Sequence, residues 1–351
     1  MKRLEDYLDS CTAALIVTPV NRRYLTGFES SLGYLFVTQN ESKLIVDGRY
    51  YLAAKQRIKE SEVVLLDKLS VQLKVFAKNS GIKRVVTENN ITVAEFNRYK
   101  EIFQGLEVLA DDSLSEFLDE LRSVKTEQEV RCIIEAQRIA EKAFLEVLNI
   151  LKPGVSEKHI ATELEYKMKR FGAEKESFDT IVVSGTKSAM PHGVPDGKLL
   201  KNGDFVTFDF GATVNGYHSD MTRTVAIGFA TDKMQLVYET VLSAQDAAER
   251  TVKAGVKCLD VDKAARDVIA NAGFGEFFTH STGHSVGLKI HELPNLSPRS
   301  ESILKVGNVV TNEPGIYIEN EFGVRIEDML LVTELGCLNL TEFEKTLIIV
   351  R

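Results

Sequence analysis

The chain has 351 residues, long enough for two domains, and its 44% hydrophobic and 27% charged content is that of an ordinary globular protein. A formal net charge of −8 with no basic run argues against nucleic acid or an anionic membrane as the main partner. No stretch reaches the roughly 20 apolar residues of a membrane span, and Met1 to Ser10 is too charged for a signal peptide. The four cysteines (Cys11, Cys132, Cys258, Cys337) form no CxxC, so the expected state is reduced thiols in a cytoplasm.

Residues 1 to about 112 read as an α/β domain. Ala13 to Val17, Leu35 to Val37, Lys43 to Val46, Val63 to Leu66 and Arg84 to Thr87 are short apolar runs that predict strands. Helices are predicted at 47–59, with Asp47 as its cap, and near 69–79 and 92–103. Such strand–helix alternation implies an α/β sheet, and nothing here has catalytic spacing. A polar, capping-prone segment at Ala110 to Leu114 marks the expected boundary between domains 1–112 and 113–351.

The second domain opens with helical periodicity from Glu127 to Leu151, closed by Pro153-Gly154, then a helix capped by Ser156 and stopped near Gly172. A strand at Thr180 to Ser184 leads into a Gly/Pro-rich loop carrying His192. Phe205 to Gly228 reads as a β-hairpin turning at Asn215-Gly216, the dipeptide of a two-residue type I′ turn. Counting from that turn sets Gly211 opposite Asp220 and leaves Asp209 and Asp220 as diagonal neighbours, roughly 7–8 Å apart at the backbone. Paired acids mean either a solvated polar face or a bound cation, and the bare Gly211 between them leaves room for an ion. Helices near 233–254 and 259–272 follow, then a histidine-rich loop and a strand-rich block from Val309 to Ile349. The domain is therefore α+β, with antiparallel strands backed by helices.

Five of the six histidines (His192, His218, His280, His284, His291) fall in this half, while His159 sits in a helical pattern and is expected at the surface. Val309 to Glu313 is a strand ended by Pro314, and Gly323 to Leu330 is another, with Arg325 and Glu327 on one face. Asp209, Asp220, His284, Glu313 and Glu327 are the candidate ligands: four carboxylates and one imidazole. Four negative charges need about two divalent cations, and an oxygen-rich set without thiolates points to Mn²⁺, Co²⁺, Fe²⁺ or Zn²⁺. His280 and His284 have helical zinc spacing, but Gly283 makes a helix there unfavourable, so one ligand and one neighbour are expected. His192, in a loop, is a candidate for substrate contact, and His218, off the acid face, for a structural role. Arg325 reads as a partner of Glu327, fixing a ligand carboxylate.

Read together, PHGVP (191–195), DFG (209–211), HSDMTRT (218–224), STGHSVGL (281–288), IHELP (290–294), NEPGIY (312–317) and GVRIED (323–328) resemble the Xaa-Pro peptidases. These are the prolidases and aminopeptidase P enzymes of the pita-bread metallopeptidase family. RRYLTGF (22–28), VDGRYYLAAK (46–55) and LRSVKTEQEV (121–130) extend the likeness over the whole chain. The resemblance implies a creatinase-like α/β N-terminal domain joined to an α+β pita-bread catalytic domain. It implies metal ligation by Asp209, Asp220, His284, Glu313 and Glu327, with two divalent ions, Mn²⁺ foremost. A hydroxide bridging them would attack the Xaa–Pro carbonyl, and Glu313 would act as general base and acid. His192 and His291 would hold the substrate, a peptide with proline second, with Arg325 supporting the ligands. Homodimerisation is expected by the same analogy.

Two positions depart from the family pattern. Asn295 stands where an arginine often follows the HExP segment, with Arg299 nearby as a substitute; Ser285 replaces a common glycine. Losing a carboxylate clamp favours an aminopeptidase acting on longer peptides over a dipeptidase. Methionine aminopeptidases share the ligands but generally lack such a first domain, and creatinase does not keep all five. A non-catalytic binding module on a peptidase fold would typically have lost ligands.

Overall fold

The structure, a computed structural model, describes residues 2–351, with side chains from residue 4 onward. The chain divides into two compact units, residues 1–122 and 123–351. In the first, strands β1 (Thr12–Ile16), β2 (Tyr34–Val37), β3 (Ser42–Val46), β4 (Glu62–Leu65), β5 (Arg84–Thr87) and β6 (Glu107–Ala110) form one sheet ordered β4-β3-β2-β1-β5-β6. Alternation sends Ala14 and Ile16 of β1 into one core and Ala13 and Leu15 into another. Both faces are covered, which is why these strands read as continuous apolar runs.

Helix Gly48–Arg57 starts where the Asp47 carboxylate accepts the Arg49 N–H at 2.9 Å. Helix Pro19–Thr26 is an addition to the expected pattern, because its inward face mixes polar residues with the core residue Leu25. Asn21 and Arg22 are buried there: Asn21 Nδ2 donates to Glu88 Oε1 at 2.7 Å, and Arg22 Nη2 donates to the Ser30 carbonyl at 2.7 Å. The units part after Arg122 rather than after residue 112. Helix Asp112–Ser123 belongs to the first unit because Leu114 and Leu118 pack in its core and Tyr24 donates to the Leu121 carbonyl at 2.9 Å.

The second unit backs its two larger sheets, a four-stranded one that is antiparallel but for one short parallel edge pair and a five-stranded antiparallel one, with two helix pairs. Helices Glu127–Leu148 and Glu157–Arg170 press Ala140, Phe144, Leu164 and Met168 against Val206, Phe208 and Phe210. Helices Asp232–Thr251 and Cys258–Asn271 press Val237, Val241, Val261 and Ile269 against Val310, Val324 and Leu330. The first helix opens with a capping box between Thr126 and Glu129, and the second is capped by Ser156.

The hairpin keeps the expected register: Val214 faces Tyr217 and Asp209 faces Thr222, with Asn215 (φ 49°) and Gly216 (φ 78°) at the turn. It is interrupted at Gly211, between strands Phe205–Phe210 and Ala212–Val214. A Cβ at Gly211 would overlap the Ser219 carbonyl oxygen, so this glycine makes room for a crossing backbone and not for an ion. The later strands break where the acids sit. Val309–Asn312 ends before Glu313-Pro314, and the run expected through Leu330 is two strands, Phe322–Arg325 and Asp328–Val332, with Ile326-Glu327 between them.

Candidate metal centre

Five side chains meet on the floor of a cavity of about 860 Å³: Asp209, Asp220, His284, Glu313 and Glu327. Alternation explains the first two. Val206, Phe208 and Phe210 point into the helix-backed core, so Asp209 points the other way; Met221, Val225 and Ile227 do the same, turning Asp220 and Thr222 outward. Strand Gly283–Ser285 brings His284 in, and it can lie there because a Cβ at Gly283 would overlap the Thr311 carbonyl. Thr311 then ties two of the five, accepting the His284 N–H at 3.0 Å and donating to Glu313 Oε1 at 3.1 Å. Glu327 is pinned at both ends. Its N–H donates to the Thr222 carbonyl at 3.1 Å, and its Oε2 accepts from the Thr222 hydroxyl at 2.7 Å.

Ligand atoms of Asp220, His284 and Glu327 lie within 4.8 Å of one another. His284 Nε2 is 3.7 Å from Asp220 Oδ2 and 3.4 Å from Glu313 Oε1. Burial, then the Asp209 and Glu313 charges, pushes Asp220 well above the usual carboxylate range, and burial with Asp220 does the same to Glu327. Glu313 is pushed up to about 7 by burial, with Arg325 opposing and Asp209 adding to the rise. Burial, then His291, holds His284 down at about 4, leaving it neutral near pH 7. Its Nδ1 faces the Ser285 carbonyl at 3.1 Å, which can only accept, so Nδ1 carries the proton and Nε2 turns a lone pair toward the carboxylates.

Lone pair facing carboxylate is repulsive unless a cation lies between them. Asp209 Oδ1 adds to this: it is buried, and no donor among the described residues reaches it. Three or more oxygen donors, one neutral imidazole and no thiolate suit a divalent cation of the hard to borderline kind. The residues present therefore fit a metal.

Arg325 pairs with Asp209 at 2.5 Å, not with Glu327 as its place in the strand suggests. The kink at Ile326-Glu327 turns the two side chains apart. Its other nitrogens donate to Thr222 Oγ1 at 3.0 Å and Tyr317 Oη at 2.8 Å, so one guanidinium braces three elements of the site. Burial works against the Arg325 charge, but Tyr317, Asp209 and Glu313 outweigh it and raise its pKa. Thr222 and Tyr317 are functional neighbours that the pattern of acids and histidines does not reveal. A signal for Thr222 was present, since it alternates with Asp220 along DMTRT (220–224).

His192 and His291 line the same cavity, and the His291 ring sits 4.3 Å from that of His284. Burial and then His192 lower the His291 pKa. His280 is the neighbour of the pair: Nδ1 donates to the Ser281 carbonyl and Nε2 accepts from Tyr317, both at 2.8 Å. His159 is exposed on its helix, and His218 is buried beside the hairpin turn. Asn295 lines the cavity; Arg299 is exposed and does not.

A neutral imidazole among buried, mutually repelling carboxylates in an open cavity is the donor set of a divalent-metal centre, and the family match makes the chain a metal-dependent hydrolase. Residues 131–334 match Metallopeptidase family M24, and residues 2–124 match the Creatinase/Prolidase N-terminal domain. The chain belongs to metallopeptidase family M24, and its catalytic unit has the pita-bread fold. It is 41% identical to an uncharacterized peptidase of Bacillus subtilis (strain 168) over 337 residues, 95% of each chain. A solved structure of an Xaa-Pro dipeptidase from Bacillus anthracis is similar with a TM-score of 0.95 and 39% identity, covering 99% of this chain and 98% of that one. An X-Pro aminopeptidase from Thermotoga maritima matches with a TM-score of 0.93 and 37% identity, covering 99% and 100%.

Proposed function

We propose that this metallopeptidase removes the N-terminal residue from peptides with proline in second position, and that it prefers peptides longer than two residues. The observation that carries this reading is the set of five donors on one cavity floor, with His192 and His291 facing the same space. Asp209, Asp220, His284, Glu313 and Glu327 would hold two divalent ions, manganese first, with cobalt, zinc and ferrous iron as alternatives. When bound, such ions supply Lewis-acid activation of water and of the scissile carbonyl.

Glu313, anchored by Thr311, is the general base and then the acid, passing the proton to the departing proline nitrogen. His291, kept neutral near pH 7, offers an N–H to the oxygen on which charge develops, and His192 holds the substrate beside it. Arg325 orients Asp209. Asn295 supplies a neutral amide where a dipeptide's carboxylate would need a cation, which favours longer peptides. The four cysteines are free, in keeping with a reducing cytoplasm, and a homodimer is the assembly we expect.

Hydrolysis of Gly-Pro, Ala-Pro, Ala-Pro-Ala and a longer Xaa-Pro peptide by metal-stripped protein, with and without each ion, tests the reading. Manganese-dependent cleavage with the longer peptides ahead is the expected result. Folded protein that cleaves none of them with any ion would instead be a peptide-binding module on a peptidase fold.

A further inference from the structure

Among the described residues, two cationic side chains line the catalytic cavity, Arg325 and Lys158. Arg325 is committed to Asp209, Tyr317 and Thr222. Lys158 is exposed in the first turn of helix Glu157–Arg170, and among the described residues its ammonium meets no carboxylate and makes no hydrogen bond.

Its place is fixed by the loop that carries His192. The Asp196 carbonyl accepts the Lys158 N–H at 2.9 Å, and the Lys198 carbonyl accepts the Glu157 N–H at 3.0 Å. Glu157 is fully buried and anchors the same corner, taking the Lys187 ammonium at 2.7 Å and the Ser184 N–H at 2.7 Å. Lys158 and His192 therefore enter the cavity from one docked corner. The next polar positions on that helix face are Thr162 and Glu165. Glu165 lies seven residues on, about 10.5 Å along the axis, and makes that part of the helix face acidic. An anionic group is repelled there and attracted at Lys158.

We propose that Lys158 is a specificity-determining residue that receives the C-terminal carboxylate of a short peptide extending past proline, the Xaa-Pro-Yaa class. The assignment rests on the Xaa-Pro reading above. It fits the neutral Asn295 and the outward Arg299, since neither supplies a cation for a carboxylate on proline itself. It also fits the cavity volume of about 860 Å³, near the upper end of the roughly 300–1,000 Å³ that ligand sites occupy. One further residue carries the carboxylate about 3.5 Å beyond proline.

The test compares kcat/KM for Ala-Pro-Ala and for its C-terminal amide, using manganese-loaded wild type, Lys158→Gln and Lys158→Arg. The wild type should prefer the free acid about two- to fivefold, mostly through KM, and added salt should reduce the preference. Lys158→Gln should bring the acid-to-amide ratio to about one, and Lys158→Arg should restore it. A wild type that cleaves acid and amide equally, or a Lys158→Gln enzyme that keeps the preference, overturns the assignment and leaves the Xaa-Pro reading standing. Wild type that cleaves neither peptide overturns both.

Discussion

Glu327 and Asp328 are consecutive residues, both buried, at 2% and 0% exposure, and folding shifts their carboxyls in opposite directions. Asp328 faces away from the cavity, where it accepts from Arg223 at 2.8 Å and from Gln245 and Asn339 at 2.7 Å each. Burial works against its charge, but Arg223 and Lys345 outweigh it and hold its pKa below the usual range. Glu327 turns the other way, toward Asp220, Glu313 and Asp209, and is pushed well above that range. One residue sits in a satisfied structural network. The other sits where the protein gathers negative charge without enough positive charge to offset it, which is costly unless a cation completes the set. The difference separates buried polarity that holds a fold from buried polarity that waits for a ligand.

The largest effect should come from the side with uncompensated charge. Glu313→Gln should cut kcat by about 10²–10⁴-fold while circular dichroism stays that of the wild type. Next come the two neighbours themselves. Asp328→Ala leaves Arg223 buried without its partner and should cost about 3–5 kcal/mol, seen as a large fall in Tm. Glu327→Gln should leave the metal-free protein as stable as the wild type or more so, because it removes a repelled charge. If both substitutions destabilise alike, the contrast is lost. Thr222→Val deprives Glu327 Oε2 and Arg325 Nε of one hydrogen bond each, a loss of about 1–3 kcal/mol. It should appear chiefly as weaker manganese affinity.

The smallest effect is in pH. Folding raises the pKa of Asp220 and Glu327, so at about pH 4 and below, where folded and unfolded carboxyls are both protonated, they cost nothing. As pH rises the unfolded carboxyls ionise first, and the metal-free fold loses stability through the window up to the raised folded values. Glu313, at about 7, carries that window to neutrality. The rise in Tm on adding Mn²⁺ should therefore be greater at pH 8 than at pH 5, and an equal rise would sink the explanation.

What could be read from sequence followed local rules. Asn215-Gly216 sets a register that needs no long-range knowledge, so the diagonal of Asp209 and Asp220 could be counted residue by residue. Pro314 announced the end of the strand before Glu313. What stayed hidden was tertiary. Nothing local tells that Arg325 turns from Glu327 to Asp209, because the kink between them is made by packing across two sheets. The purpose of Gly211 depends on the Ser219 carbonyl, and helix Pro19–Thr26 buries Asn21, whose partner, Glu88, is far along the chain. The polar, capping-prone start of helix Asp112–Ser123 reads as a boundary, while the leucines it gives to the first core, Leu114 and Leu118, declare themselves only in the packing.

The most direct test is the number of manganese ions bound per chain, measured by equilibrium dialysis of metal-stripped wild type and Glu327→Gln. Wild type should bind two ions and the variant at most one, with Asp328→Asn still binding two wherever it remains folded. Wild type that binds none, or a Glu327→Gln protein that binds as many as wild type, would contradict the claim that this uncompensated charge is a metal centre.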